Sequence, residues 1–254
     1  MSTDRAPGRP RVWLFDLDDT LHDAATASMP HLHVAFGEYI QQHLGLGAAE
    51  SDALRRRYWL RYGATLLGLV RHHGVEAAHF LHHTHRLPGL EQRVRGHRAD
   101  LAALDRLPGR RYILTNAPAA YAGRVLDTLG IRHRFDGVIA IEQMHMFGRL
   151  RPKPDARMLR WVAARLRVPP QCCVLVEDTL VHQKSARRLG IGTVWMQRWL
   201  PRRDRAGRPL RRQGGRPAYV DRRVRALREL LRTPPCARPA GGGSHPAVTA
   251  ARQW

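Results

Sequence analysis

Three carboxylates, Asp16, Asp18 and Asp19, stand at the end of a short apolar run, Val12-Trp13-Leu14-Phe15. The run reads as a strand buried on both faces, and alternation along it puts Asp16 and Asp18 on one side of its C-terminal tip. Carboxylates converging there repel one another and lose hydration, so the arrangement calls for a cation or a catalytic task. The pattern recurs where the apolar stretch Cys172 to Val176 ends in Glu177-Asp178-Thr179. Between the two, Arg111-Tyr112-Ile113-Leu114 ends in Thr115-Asn116-Ala117-Pro118. Asn116 suits the N-cap of the helix that follows, so that tip offers a hydroxyl, an amide and a helix start, which together suit an anion. Lys153 sits between Pro152 and Pro154, and Lys184 is the only other lysine in a chain that otherwise draws its positive charge from arginine. A compact ammonium there, in place of a planar guanidinium fork, marks Lys153 as a site candidate.

The elements that must position these residues alternate. Strand-like runs at 12–15, 111–114, 137–141, 172–176 and 192–196 are interleaved with helical patterns at 119–129, 156–166 and 181–189. Strands and helices in this order, with polar residues at successive strand ends, imply a parallel α/β sheet whose site lies along that edge. Residues 22–107 are different, with helical spacing at 29–44, 48–70, 75–85 and 91–104 and no convincing strand. A purely helical insert directly after the first strand suggests a lid over the site. Arg61 and Tyr62, with Tyr58, are its candidates for substrate contact. His79 and His83 have helical i, i+4 spacing, but no acidic or cysteine ligand completes a metal set, so they read as a solvated face. The organisation expected is a flexible N-terminus over 1–10, a core over 11–21 and 108–200, a helical insert over 22–107, and an Arg/Pro/Gly-rich tail over 201–254 that is largely flexible, with one amphipathic helix at 220–231.

A net charge of +22 invites a nucleic-acid reading, yet the arginines are scattered except in the tail, and basic charge alone supplies only salt-sensitive, non-specific affinity. No apolar run approaches a membrane span, and residues 1–11 have no apolar stretch of the secretory kind. Cys172, Cys173 and Cys236 show no metal-type spacing and read as free thiols in a reducing cytoplasm.

The order Asp16-Leu17-Asp18-Asp19-Thr20, Thr115, Lys153-Pro154, Glu177-Asp178 resembles the four motifs of the haloacid dehalogenase-like (HAD) hydrolases over about residues 11–198. The resemblance implies a Rossmann-like three-layer α/β core around a parallel sheet, with the helical insert as a C1 cap. Arg61 to Leu69, Leu114 to Ala117 and Val176 to Leu180 look most like the pyrimidine 5′-nucleotidase branch. His182 departs from it, since relatives usually carry an asparagine near that position.

The resemblance implies that Asp16 attacks phosphorus while Asp18 acts as acid and base, an acid that a dehalogenase would not need. It implies that Lys153 and Thr115 steady the phosphoryl group, with Asn116 holding its oxygens. It implies Mg2+ held by Asp16, Asp18 (through its carbonyl) and Asp178, with Glu177 beside the metal. The enzyme expected is a cytoplasmic monomer or homodimer acting on a small-molecule phosphomonoester, with pyrimidine nucleoside monophosphates as its expected substrates. The alternatives are a phosphatase or mutase for a sugar phosphate or phosphoglycolate and, further off, a nucleic-acid binder using the tail.

Overall fold

The computed structural model describes residues 11–200 and 215–232. Its centre is a six-stranded, all-parallel sheet in the order β3-β2-β1-β6-β7-β8. The strands are β1 (Val12–Phe15), β2 (Arg110–Leu114), β3 (Gly137–Ile139), β6 (Cys173–Glu177), β7 (Gly192–Met196) and β8 (Arg222–Val224). A short antiparallel hairpin, β4 (His145–Met146) with β5 (Arg149–Leu150), stands apart from the sheet. Helices α8 (Ala119–Thr128), α9 (Ala156–Arg165) and α10 (Leu180–Arg188) follow β2, β5 and β6.

The side-chain alternation of β1 organises both faces. Trp13 and Phe15 enter one core cluster with Tyr121, Val125 and Leu126, while Val12 and Leu14 enter another with Leu159, Val162 and Ala186. All of β1 is buried, as expected of a central strand covered by helices on both sides. Its register with its neighbours pairs Phe15 with Ile113 and with Val176. The residues just beyond those pairs therefore gather at one edge of the sheet.

The expected helical insert lies between β1 and β2, as α1 (Ala24–Ala27), α2 (Met29–Leu44), α3 (Ala48–Tyr62), α4 (Thr65–His73), α5 (Ala77–Thr84), α6 (Leu90–Arg93) and α7 (Arg98–Leu101). The helix expected over 48–70 is two helices. Gly63 takes a left-handed φ of 77° and ends α3, after which α4 folds back upon it. The two pack so closely that a Cβ at Gly68 would lie 2.1 Å from Tyr58 Cγ. The insert has its own apolar cluster, which includes Tyr39, Ile40, Leu54, Leu69 and Phe80.

Another correction concerns the tail. Residues 220–231 are not one helix; they form β8 and a 3₁₀ turn, Leu227–Arg232. Val220, Val224, Leu227 and Leu230 are buried, and Val224, Leu227 and Leu230 join the cluster that holds Trp13 and Phe15. The i, i+3/i+4 spacing of these residues suits a helix, but pairing with β7 and burial against the core outweigh that local pattern. Residues 201–214 and 233–254 of the expected tail, among them Cys236, and the expected flexible N-terminus over 1–10 lie outside the described residues.

Candidate active site

The sheet register brings the predicted acids together. Asp16 follows β1, and its N–H donates to the Val176 carbonyl at 2.9 Å, which holds it beside the tip of β6. Asp16, Glu177 and Asp178 offer carboxylate oxygens that all lie within 4.8 Å of one another, and among the described residues no other group of three or more such side chains does so. Asp178 is fixed through its backbone, whose carbonyl accepts from the Trp195 indole at 2.8 Å. Gln183 donates to the Glu177 carbonyl at 2.9 Å.

Lys153 enters from the loop before α9. Its Nζ lies 2.5 Å from Asp16 Oδ1 and 2.7 Å from Glu177 Oε2, and its side chain is 1 % exposed. The loop is pinned from several sides. Asp155 caps α9 by accepting from the Arg157 N–H at 2.7 Å, and Arg151 pairs with Asp155 at 3.0 Å. Asn116 clamps the lysine's backbone, accepting from its N–H at 2.9 Å and donating to its carbonyl at 3.0 Å.

Two features of the β2 tip differ from expectation. The Asn116 side-chain amide is committed to the Lys153 backbone, so that side chain supports the lysine. Nor does Asn116 cap α8: Pro118 precedes the helix, and the Ala119 N–H donates to the Glu142 carboxylate at 3.0 and 3.1 Å. Thr115 is buried and lines the site, its Oγ1 accepting from the Ala117 N–H at 3.0 Å.

Asp18 belongs to a separate network. Its Oδ1 lies 2.9 Å from His22 Nε2 and accepts from the Tyr121 hydroxyl at 2.7 Å. Asp19, at φ 54°, turns its carboxylate to accept from the Ala25 N–H at 2.9 Å and so helps to start α1.

The electrostatics separate these acids. Burial first, then Glu177, raises Asp16 well above the usual carboxylate range, and Lys153 opposes that rise. Burial, with Glu177 and Asp16 next, pushes Asp178 up to about 10. Burial also resists ionisation of Glu177 and Asp18. The charges of Lys153 and His182 overcome it at Glu177, and the bonds from His22 and Tyr121 overcome it at Asp18, so both lie below their ordinary values. Lys153 is held charged against burial by Asp16 and Glu177. Burial and mutual repulsion resist ionisation of Asp16 and Asp178, one ammonium does not relieve all three acids, and an all-oxygen donor set of this kind fits a hard divalent cation that would let them ionise together.

Above the acids lies an open cavity of about 530 Å³, lined by the sheet edge and the helical insert. Asp16, Asp18, Thr115, Asn116, Lys153, Glu177 and Asp178 line its floor. Arg61 and Tyr62 are not among its lining residues. Tyr62 instead lines a separate groove of about 650 Å³ beside Arg149 and Leu150, and Arg61 lies over the Tyr62 ring at 5.5 Å. Tyr58 is not among the lining residues either and packs in the insert's apolar cluster; the insert instead contributes Arg55, Arg56 and Trp59 to the cavity, residues that sequence reasoning missed although they share a helix with the three it chose. His22 was also missed, and its i+4 spacing from Asp18 was the available signal. Tyr121 arrives from α8 with no local signal at all.

Over 80 residues the chain is 35% identical to fructose-1-phosphate phosphatase YqaB of Escherichia coli (strain K12), an alignment covering 32% of this chain and 40% of that protein. Among solved structures, a HAD phosphatase from Thermococcus onnurineus superposes with a TM-score of 0.56 at 20% identity, covering 87% of this chain and 95% of that one. The HAD-hydrolase YfnB from Bacillus subtilis, solved bound to magnesium, superposes with a TM-score of 0.53 at 17% identity, covering 87% and 97%. The family model of the haloacid dehalogenase-like hydrolases matches residues 10–190, which contain every motif residue at the floor of the cavity, and the chain belongs to that family.

Proposed function

We propose that this hydrolase cleaves phosphomonoesters with Mg2+ as its cofactor and an aspartyl-phosphate on Asp16 as its intermediate. One observation carries the reading: a buried Asp16 at the floor of a cavity, 2.5 Å from the Lys153 ammonium and within 4.8 Å of two further acids. Asp16 attacks phosphorus and the ester oxygen leaves; water then cleaves the acyl phosphate and frees Asp16. Asp18 gives a proton to the leaving oxygen and takes one from the water. Its two donors favour the ionised form, and a phosphoryl dianion entering the cavity adds like charge that raises its hold on the proton it must donate. Lys153 steadies Asp16 and the charge that develops on the phosphoryl oxygens, with Thr115 beside it.

Asp16 and Asp178 would hold Mg2+ together with the Asp18 carbonyl, and Glu177 would stand next to it. When bound, the ion supplies neutralising charge and Lewis acidity where the acids and the phosphoryl group crowd together. The magnesium bound by YfnB supports this choice of ion. The helical insert serves as a C1 cap that shields the site from water. The reading carries with it a cytoplasmic location, a monomer or homodimer, and no specific nucleic-acid partner.

For the ester itself, pyrimidine nucleoside monophosphates fit the stretches Arg61 to Leu69, Leu114 to Ala117 and Val176 to Leu180. With Arg61 and Tyr62 outside the cavity, contact with the base falls to Arg55, Arg56 and Trp59. A sugar phosphate is the second reading, favoured by the likeness to YqaB. Phosphate release from UMP, CMP, AMP, phosphoglycolate, fructose 1-phosphate and glucose 1-phosphate, with Mg2+ and with EDTA, tests both readings. Turnover that needs Mg2+ and vanishes in Asp16→Asn is expected, and full activity in that variant would refute the mechanism.

A further inference from the structure

The cavity has two chemically different ends. Acids and Lys153 form its floor, whereas the wall built by the helical insert carries no carboxylate. That wall combines apolar side chains, among them Leu32, Phe36 and Phe80, with the guanidinium groups of Arg55 and Arg56. Asp52 answers both arginines: Arg55 Nη2 lies 2.6 Å from its Oδ1, and Arg56 Nη1 contacts its Oδ2. One carboxylate shared by two guanidinium groups leaves positive charge and N–H donors in excess.

The arginines are not equivalent. The Arg55 side chain is 17 % exposed and that of Arg56 is 61 % exposed, so Arg55 is the one held within the wall. Its backbone is fastened as well, since Thr65 Oγ1 donates to the Arg55 carbonyl at 3.2 Å. Trp59 lies one helical turn further along α3, on the same face, and brings a flat ring to the cavity.

We propose that Arg55 is a specificity-determining residue that reads the far edge of the substrate as a hydrogen-bond acceptor, so that uracil and thymine nucleoside monophosphates are preferred to those of cytosine and adenine. The inference rests on the phosphomonoesterase reading in its nucleotide form and deepens it. A uracil ring has flat faces that suit Trp59 and the apolar wall, and it carries a carbonyl oxygen where cytosine carries an amino group. Against a guanidinium the carbonyl accepts a bond; the amino group would set N–H against N–H and leave both unpaired. A site built to pair with a polar group discriminates more sharply than one that selects on size.

The test is steady-state kinetics of the full chain with Mg2+ on UMP, dTMP, CMP, AMP and glucose 1-phosphate. For the wild type, kcat/KM is expected to be about tenfold or more higher for UMP than for CMP, the worth of one charge-assisted hydrogen bond. Arg55→Met is expected to bring that ratio close to one, mainly by raising KM for UMP, with Arg55→Lys restoring part of it. Circular dichroism checks the fold, and if Arg55→Met does not fold, Arg55→Lys and the wild-type ratio still decide. Equal use of UMP and CMP by the wild type, or a ratio unchanged in Arg55→Met, overturns the inference while the phosphomonoesterase reading stands. Hydrolysis of glucose 1-phosphate without the nucleotides overturns it in the same way. Absence of turnover on every ester, with Mg2+ present, overturns both.

Discussion

Lys153 Nζ stands 2.5 Å from Asp16 Oδ1, across 137 residues of chain, and joins the loop before α9 to the tip of the central strand. Removing the ammonium leaves a buried cluster of acids without its cation. Lys153→Met is therefore expected to cost about 3–5 kcal/mol, the usual penalty for breaking a buried ion pair from one side. Urea unfolding measures this, and a loss below about 1 kcal/mol would mean the acids are far better solvated than their burial implies. Phosphate release by the same variant is expected to fall at least about a hundredfold.

Mg2+ is expected to stabilise the fold. An ion at about 100 times its Kd adds about 2.7 kcal/mol, which for a chain of this size raises Tm by about 5–10 °C. Differential scanning calorimetry in EDTA and in Mg2+ reads the shift, and Asp178→Asn should abolish most of it. A shift of full size in that variant would place the ion elsewhere.

His85 links pH to stability. Burial is the main cause that lowers it to about 4 from its ordinary 6.5, against the pull of Asp18. Between those two values the unfolded chain takes up a proton that the folded chain refuses, so stability falls as pH drops from about 6.5 to about 4 and His85 adds no further slope below that. Tm measured across this window should slope less in His85→Gln than in the wild type. Parallel slopes would remove His85 as the cause.

Leu227, in the 3₁₀ turn after β8, is buried in the cluster that holds Trp13 and Phe15. Leu227→Ala is expected to cost about 2–5 kcal/mol, as for a core leucine. An exposed tail residue would show almost no loss by chemical denaturation.

Most of the core was legible because β1, β2 and β6 are short runs rich in apolar residues that end in polar tips, and the helices after β2 and β6 have their own stop signals. Asp16, Thr115, Glu177 and Asp178 could be expected side by side because strand ends in a parallel sheet converge on one edge, whatever the connections between them, whereas Lys153 stood out only as one of two lysines, set between prolines. β8 was not legible, since Arg222-Arg223-Val224 has almost no apolar content and is a strand only because β7 offers a partner. The cavity wall was legible as a region but not by residue. On α3, Arg55 and Trp59 line the cavity whereas Arg61 and Tyr62 do not, and periodicity within one helix carries no information about which of its faces meets a site formed by distant elements. Asn116 shows the same limit: its type was right for a polar task, but its partner, the Lys153 backbone, is 37 residues away.

The central place of β1 in the sheet has a consequence for how the chain comes into being. Among the described residues it is the earliest strand in the chain, yet it pairs with β2 and β6, which are made much later. During synthesis its apolar residues emerge without neighbours, while the helical insert, whose contacts are more local, can gather around its own apolar cluster. The nascent chain thus carries a sticky, unpaired segment until β6 arrives, so refolding from denaturant should be slower and more concentration-sensitive than that of a helical protein of the same length.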